Sequence, residues 1–317
     1  MLIDNTIESG PSTAARILTQ LTRSTVRPAL RFGCRAAHLP WPFGAIEFAA
    51  RVLHKPSLAR ETVRLSRCTA TMFNGHRESG RVILYLHGGG FLACGPNTHA
   101  AMIELLSRYA DCPVLAVDYR MLPKHSVGQA VGDCEEAYMY LRRYYEPHQI
   151  AIAGDSAGGY LALTVANHMS GILPEDVPGA LCLISPFLQF DPEPKKAHPN
   201  IRCDAMFGPE AFDALLKLAE KANRGAGIYE PLETLTPPLP PTLIHVSGQE
   251  VLLHDARLAA AILSGIGIPV EVHVWPGQIH VFQASADFVP EAKRSLKQIG
   301  DYIRENVGTK KSAAAKT

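Results

Sequence analysis

Ile150-Ala151-Ile152-Ala153-Gly154-Asp155-Ser156-Ala157-Gly158-Gly159-Tyr160 is the stretch on which the reading of this chain turns. The first four residues are apolar and read as a strand covered on both faces. A Gly-x-Ser-x-Gly turn follows, and residues 160–169 then carry a helical pattern. A serine at such a strand–turn–helix junction is held in a strained backbone conformation. Gly154 and Gly158 flank it because side chains there would collide with strand and helix. The hydroxyl is lifted above the sheet beside a helix N-terminus, whose dipole favours developing negative charge. Ser156 is therefore the candidate nucleophile. A bare Gly-x-Ser-x-Gly is a weak signal, and it is the flanking strand and helix that give it weight.

Five further strands are expected outward from this turn, at 82–86, 114–117, 180–184, 242–246 and 270–274. They alternate with helical stretches. The fold class is thus α/β, with a mostly parallel central sheet and helices on both faces. Two irregular regions are expected outside the sheet. Residues 1–60 read as helices broken at Pro28, Pro40, Pro42 and Pro56. Residues 189–240 are rich in proline, with one helical pattern near 209–222. Together they would form a helical cap over the strand ends. The expected organisation is an N-terminal cap segment at 1–60, a core at 61–188 and 241–308, a cap insertion at 189–240 and a flexible tail at 309–317.

His87-Gly88-Gly89-Gly90-Phe91 directly follows the strand at 82–86. Consecutive glycines let backbone N–H groups face a cavity without obstruction. The N–H groups of Gly88, Gly89 and Ala157 are the expected oxyanion donors. A phosphate cradle is disfavoured, because no Gly-Lys-Ser/Thr follows.

With these motifs the chain resembles the hormone-sensitive-lipase-like family of α/β-hydrolases, over roughly residues 61–305. His87 to Gly90 match its His-Gly-Gly-Gly signature, and Gly154 to Gly159 its Gly-Asp-Ser-Ala-Gly-Gly. Asp118-Tyr119-Arg120-Met121-Leu122-Pro123-Lys124-His125 is similar to a third family motif, with Lys124 where glutamate is usual. Ser185-Pro186 matches a family strand ending. The resemblance implies a cap and cofactor-free hydrolysis of carboxylic esters, often with short or medium acyl chains. The family histidine in Gly-x-x-His falls on His280, expected to be general base and then acid. His87, His99, His125, His245 and His254 are the rivals. His87 is assigned to ordering the glycine loop. For the acid, Glu250 aligns with the family's first aspartate, two residues after Gly248, and Asp255 is the fallback. A helix-capping role for Glu250 is the competing reading. Phe91, Leu92, Phe187, Val281 and Phe282 flank the motifs as candidate pocket residues, each equally an ordinary core residue.

The rest of the composition narrows the function. Of 317 residues, 47% are hydrophobic and 19% charged, and the net charge is +1, which gives no general attraction to nucleic acid. Cys34, Cys68, Cys94, Cys112, Cys134, Cys182 and Cys203 form no Cys-x-x-Cys pair and read as reduced thiols of a cytoplasmic protein. No metal site or cofactor is implied. No apolar run is long enough to span a bilayer, and Met1-Leu2-Ile3-Asp4 does not open a secretory signal. Residues 10–45 hold Arg16, Arg23, Arg27, Arg31 and Arg35 but no acid. A cap helix with a solvated arginine face is preferred for this segment over a membrane-surface helix. The strand near 270–275 is a candidate edge for homodimer pairing. The expected function is a carboxylic-ester hydrolase. An amide or acetyl-group deacetylase and a non-catalytic small-ligand receptor are the alternatives.

Overall fold

Every strand expected from its apolar run is present in the computed structural model, which describes residues 2–7, 9–35, 43–75, 79–172 and 176–308. These are β4 (Val82–Leu86), β5 (Val114–Asp118), β6 (Ile150–Asp155), β7 (Ala180–Ile184), β8 (Thr242–Ser247) and β9 (Val270–Trp275). Three more belong to the same sheet: β1 (Leu2–Thr6), β2 (Ala59–Arg64) and β3 (Thr69–Asn74). The nine strands run in the order β1-β9-β8-β7-β6-β4-β5-β3-β2. Pairs β2–β3 and β3–β5 are antiparallel, and the others are parallel.

Residues 2–6 were expected outside the sheet and instead close one edge of it, pairing with β9 from Leu2↔Val270 to Thr6↔Val274. The strand Val270–Trp275 is therefore not a free edge, and the dimer contact expected there is removed by the chain's own N-terminal strand.

The helices are α1 (Thr13–Leu21), α2 (Arg27–Arg35), α3 (Phe43–Leu53), α4 (Ala100–Ala110), α5 (Val127–Leu141), α6 (Ala157–Ile172), α7 (Glu193–Ala197), α8 (Pro209–Asn223), α9 (Leu253–Gly265) and α10 (Pro290–Asn306). Alternation along each strand sorts the core into two layers. Val82, Leu84 and Leu86 face α5, α6 and α9, whereas Ile83 and Tyr85 face α4 and α10. Among the described residues, no helix is long and apolar enough to cross a membrane.

Pro28 does not break its helix. A π-helical turn at Thr22–Val26 precedes it, and the Arg27 N–H reaches back to the Thr22 carbonyl. The wide turn moves the carbonyl that would clash with the proline ring, so α2 continues from α1. Pro40, Pro42 and the tail at 309–317 lie outside the described residues.

Arg23 donates to the Cys203 carbonyl, and Arg27 to those of Ile201 and Asp204. Arg31 pairs with Glu210 on α8. The N-terminal helix thus lies against the 199–210 stretch, above the strand ends.

Candidate active site

The sheet carries its reactive groups at the C-terminal ends of parallel strands, where open α/β sheets bind ligands. Ser156 follows β6 in the left-handed conformation, at φ 51°. Its N–H donates to the Ile184 carbonyl (2.9 Å), and its carbonyl accepts from Phe187 (3.1 Å). These bonds to the end of β7 hold a conformation that an L-residue avoids by itself. Gly158 is needed because a Cβ there would drive into the Leu86 carbonyl of β4. The serine is 7% exposed.

Glu250, in the loop after β8, is fully buried and uses both carboxylate oxygens. Its Oε2 meets His280 Nδ1 at 2.5 Å. Its Oε1 accepts from Ser185 Oγ (2.6 Å) and from the Ser247 N–H (2.7 Å). Ser185 Oγ in turn accepts the Val281 N–H, tying the histidine loop to β7. Burial alone would make the His280 imidazolium more acidic. The charge and hydrogen bond of Glu250 outweigh it, so the His280 pKa is raised above 6.5. With Nδ1–H committed to Glu250, the neutral ring keeps Nε2 as an acceptor. Phe207 packs edge-on against the ring, 4.8 Å between centroids.

Asp255 does not approach His280. Its Oδ2 accepts the Leu188 and Gln189 N–H groups, and its Oδ1 lies 3.1 Å from Lys195 Nζ, with both side chains fully buried. The fallback acid is thus occupied elsewhere, and Glu250 is the carboxylate that meets the imidazole.

The glycine loop is ordered by a residue that motif reading passed over. Asp155, the fully buried last residue of β6, accepts Tyr85 Oη–H (2.7 Å) and the Gly88 N–H (3.0 Å) on Oδ1. On Oδ2 it meets His99 Nε2 at 3.2 Å. Burial would raise its pKa, but His99 and Tyr85 hold it below 3.8. Burial likewise opposes the His99 cation, and Asp155 raises the His99 pKa above 6.5. The Gly88 N–H is therefore already used and does not point into the site as expected. His87 contributes in a different way. Burial, followed by the nearby His99, pushes its pKa down to about 4. The neutral ring stacks on Tyr119, and its Nδ1–H donates to the Gly88 carbonyl (2.7 Å). That bond fixes the Gly88–Gly89 peptide, so the Gly89 N–H points the opposite way. Gly89 itself sits at φ 110°, which only glycine adopts readily. Among the described residues the Gly89 and Gly90 N–H groups find no acceptor. Ala157 opens α6, where first-turn N–H groups lack a partner within the helix.

The candidate pocket residues divide. Phe187 sits beside Ser156 and forms an aromatic cluster with Phe91, Phe190 and Tyr160. Leu92 packs at the edge of the same layer. Phe282 does not belong there, because it is fully buried against Trp275 in the layer on the opposite face of the sheet. Val281 packs partly against that layer too. A cavity of about 810 Å³ between α5, α6 and the end of α8 has Tyr160 in its wall but none of the reactive groups.

Asp204 and Asn200 also escaped the sequence reading. Asp204 Oδ2 accepts the Val251 N–H, and Asn200 donates to the Glu250 carbonyl. Both brace the acid loop from the insertion, through contacts too distant in sequence to leave a local signal. Among the described residues, no group of His, Cys, Asp and Glu is arranged to hold a metal.

Comparison with known proteins identifies the fold and the family. Residues 83–284 match the family described as alpha/beta hydrolase fold. The chain is 54% identical to the Mycobacterium tuberculosis protein named "Esterase LipU", over 89% of this chain and 99% of the relative. It is 48% identical to the "Carboxylesterase/phospholipase LipF" of the same organism, over 94% of this chain and 83% of the relative. Among solved structures, an esterase/lipase from an uncultured bacterium superposes with a TM-score of 0.80 at 28% identity, covering 93% of this chain and 99% of that one. An esterase from the bacterial hormone-sensitive lipase family gives 0.81 at 26% identity, covering 95% and 100%.

Proposed function

As the chain belongs to the α/β-hydrolase fold family and is a carboxylic-ester hydrolase, we propose that it works through an acyl-enzyme on Ser156. His280 Nε2 takes the Ser156 proton as the hydroxyl attacks the ester carbonyl. Glu250 holds the Nδ1–H tautomer and stabilises the imidazolium that forms. The carbonyl oxygen, now an oxyanion, receives the Gly89 and Ala157 N–H groups, with Gly90 as the third donor. Each is worth about 3 kcal/mol of barrier. His280 returns the proton to the leaving alcohol. Water then enters, His280 removes its proton, and the acid departs.

The observation that carries this reading is the His280–Glu250 contact at 2.5 Å, at the same end of the sheet as the strained Ser156. Phe187, whose N–H donates to the Ser156 carbonyl, carries a packed aromatic cluster next to the nucleophile turn, and this crowding favours short and medium acyl chains. The test is p-nitrophenol release from acetate through decanoate esters. Wild type should turn over the shorter esters fastest, and Ser156→Ala should lose about 10³-fold or more while remaining folded. Equal activity in both would remove Ser156 from the mechanism.

A further inference from the structure

Neither the triad nor the glycine loop confines the leaving alcohol of an ester. The alcohol oxygen has one fixed requirement. It must come within hydrogen-bond reach of His280 Nε2, about 3 Å, to receive the proton. Whatever packs against the His280 ring therefore stands beside the first carbons of the alcohol. The acyl group carries no such requirement.

That neighbour is Phe207. Its ring meets the imidazole at 4.8 Å between centroids, in van der Waals contact and too close to admit a methyl group between them. Its other ring contact among the described residues is Phe212 of α8, and it stands apart from the aromatic cluster of Phe91, Tyr160, Phe187 and Phe190. The side chain is only partly buried, so some of its surface is left open to a substrate.

The chain on either side fixes the ring. Asp204, buried just before it, accepts the Met206 and Phe207 N–H groups on Oδ1 (2.7 and 2.9 Å). Its Oδ2 accepts the N–H of Val251 (2.8 Å), the residue after Glu250. One carboxylate thus ties the Phe207 backbone to the loop that bears the acid. Gly208 then caps α8, and Pro209 opens it. The phenyl ring and the imidazole are held on one frame, and bulk at the ester oxygen cannot be accommodated by either drifting from the other.

We propose that Phe207 determines which leaving alcohols the site accepts, by limiting the space at the carbon bonded to the ester oxygen. Esters of unbranched primary alcohols pass the ring, whereas those of secondary and tertiary alcohols press a methyl group against it. The proposal rests on the reading of Ser156 and His280 as the acyl-transfer pair. It adds a selectivity on the alcohol side, supplied by the insertion and separate from the crowding at Phe187.

The experiment is hydrolysis of ethyl and isopropyl acetate, followed by acid release at constant pH, in wild type, Phe207→Ala and Phe207→Leu. The acyl group is the same in both esters, so the ratio of their kcat/KM values, compared between proteins, reads the alcohol alone. Phe207→Ala should raise the isopropyl-to-ethyl ratio about tenfold, the usual worth of one methyl group in a fitted pocket. Phe207→Leu should raise it by less, and carries the test if the alanine variant does not fold. The ratio of p-nitrophenyl hexanoate to p-nitrophenyl acetate should stay within about twofold of wild type, because the acyl side is untouched. Loss of ethyl and isopropyl acetate hydrolysis in equal proportion would make Phe207 a packing residue and overturn the proposal. So would a shift confined to the acyl series. Ester hydrolysis that persists in Ser156→Ala would overturn the mechanism beneath it, and is read separately from the two ratios.

Discussion

Two buried carboxylates order this site, and they do different things. Glu250 touches the imidazole and sets its charge, so its removal is readable in a pH profile. The base form of His280 is the neutral one. Because Glu250 raises its pKa, kcat/KM should fall as pH drops through a value above 6.5. Glu250→Gln keeps the shape and removes the charge, leaving burial to dominate. The acid limb should then move to lower pH while the maximal kcat falls by about 10²- to 10⁴-fold. An unmoved limb in stopped-flow or steady-state profiles would mean that another group titrates. Ser156, His280 and Glu250 could each be proposed from the sequence, because their identities are tied to short local motifs. Which glycine N–H is already engaged could not be. That depends on Asp155 taking the Gly88 N–H across the gap from β6 to the loop after β4. The same fold places Phe282 on the opposite face, one residue past Val281, which is left-handed at φ 49° and redirects the chain.

At the scale of elements, the nucleophile turn and the glycine loop behave as one unit. Asp155 lies at the end of β6, and its three partners come from β4, the glycine loop and the start of α4. Asp155→Ala leaves three buried donors without their acceptor: Tyr85 Oη, the Gly88 N–H and His99 Nε2. The loss should be about 3–5 kcal/mol in urea unfolding, with a fall in kcat that exceeds any change in KM. A variant as stable and as active as wild type would show that the loop orders itself. The central strands were legible because each is buried on both faces and almost wholly apolar. The sheet margins were not. β1 offers only Leu2 and Ile3 as apolar residues, and in β2 only Arg60 and Val63 are partly buried. Edge strands carry little hydrophobic signal because one side of each has no neighbour to pack against. Pro28 misled for a related reason. A proline forbids the ordinary helical bond, but the preceding π turn, which propensity does not foresee, makes room for it.

For the whole molecule, the issue is how the insertion is anchored to the core beneath it. Lys195, 0% exposed, reaches Asp255 at the start of α9 and also donates to the Gln189 carbonyl. The pair joins the first residues of the insertion to the core, under the Phe187 ring. Lys195→Met strands a buried carboxylate and should cost about 3–5 kcal/mol. Adding Asp255→Leu should recover part of that loss, although the Leu188 and Gln189 N–H groups stay unpaired. Full additivity in the double-mutant cycle would mean that the two charges do not interact. The α/β architecture was legible from strand and helix alternation alone. How the N-terminal helix sits on the insertion was not, because Arg27 and Asp204 lie far apart in sequence and neither position marks its partner.

The central claim is that Ser156 is a nucleophile made reactive by His280 and Glu250. The most direct measurement is covalent labelling by a fluorophosphonate, followed by peptide mass spectrometry. The account predicts one label per chain, on the peptide bearing Ser156, formed at least 10²-fold more slowly in His280→Ala and absent in Ser156→Ala. Labelling of another residue, or an enzyme that hydrolyses esters while Ser156 stays unmodified, would contradict it.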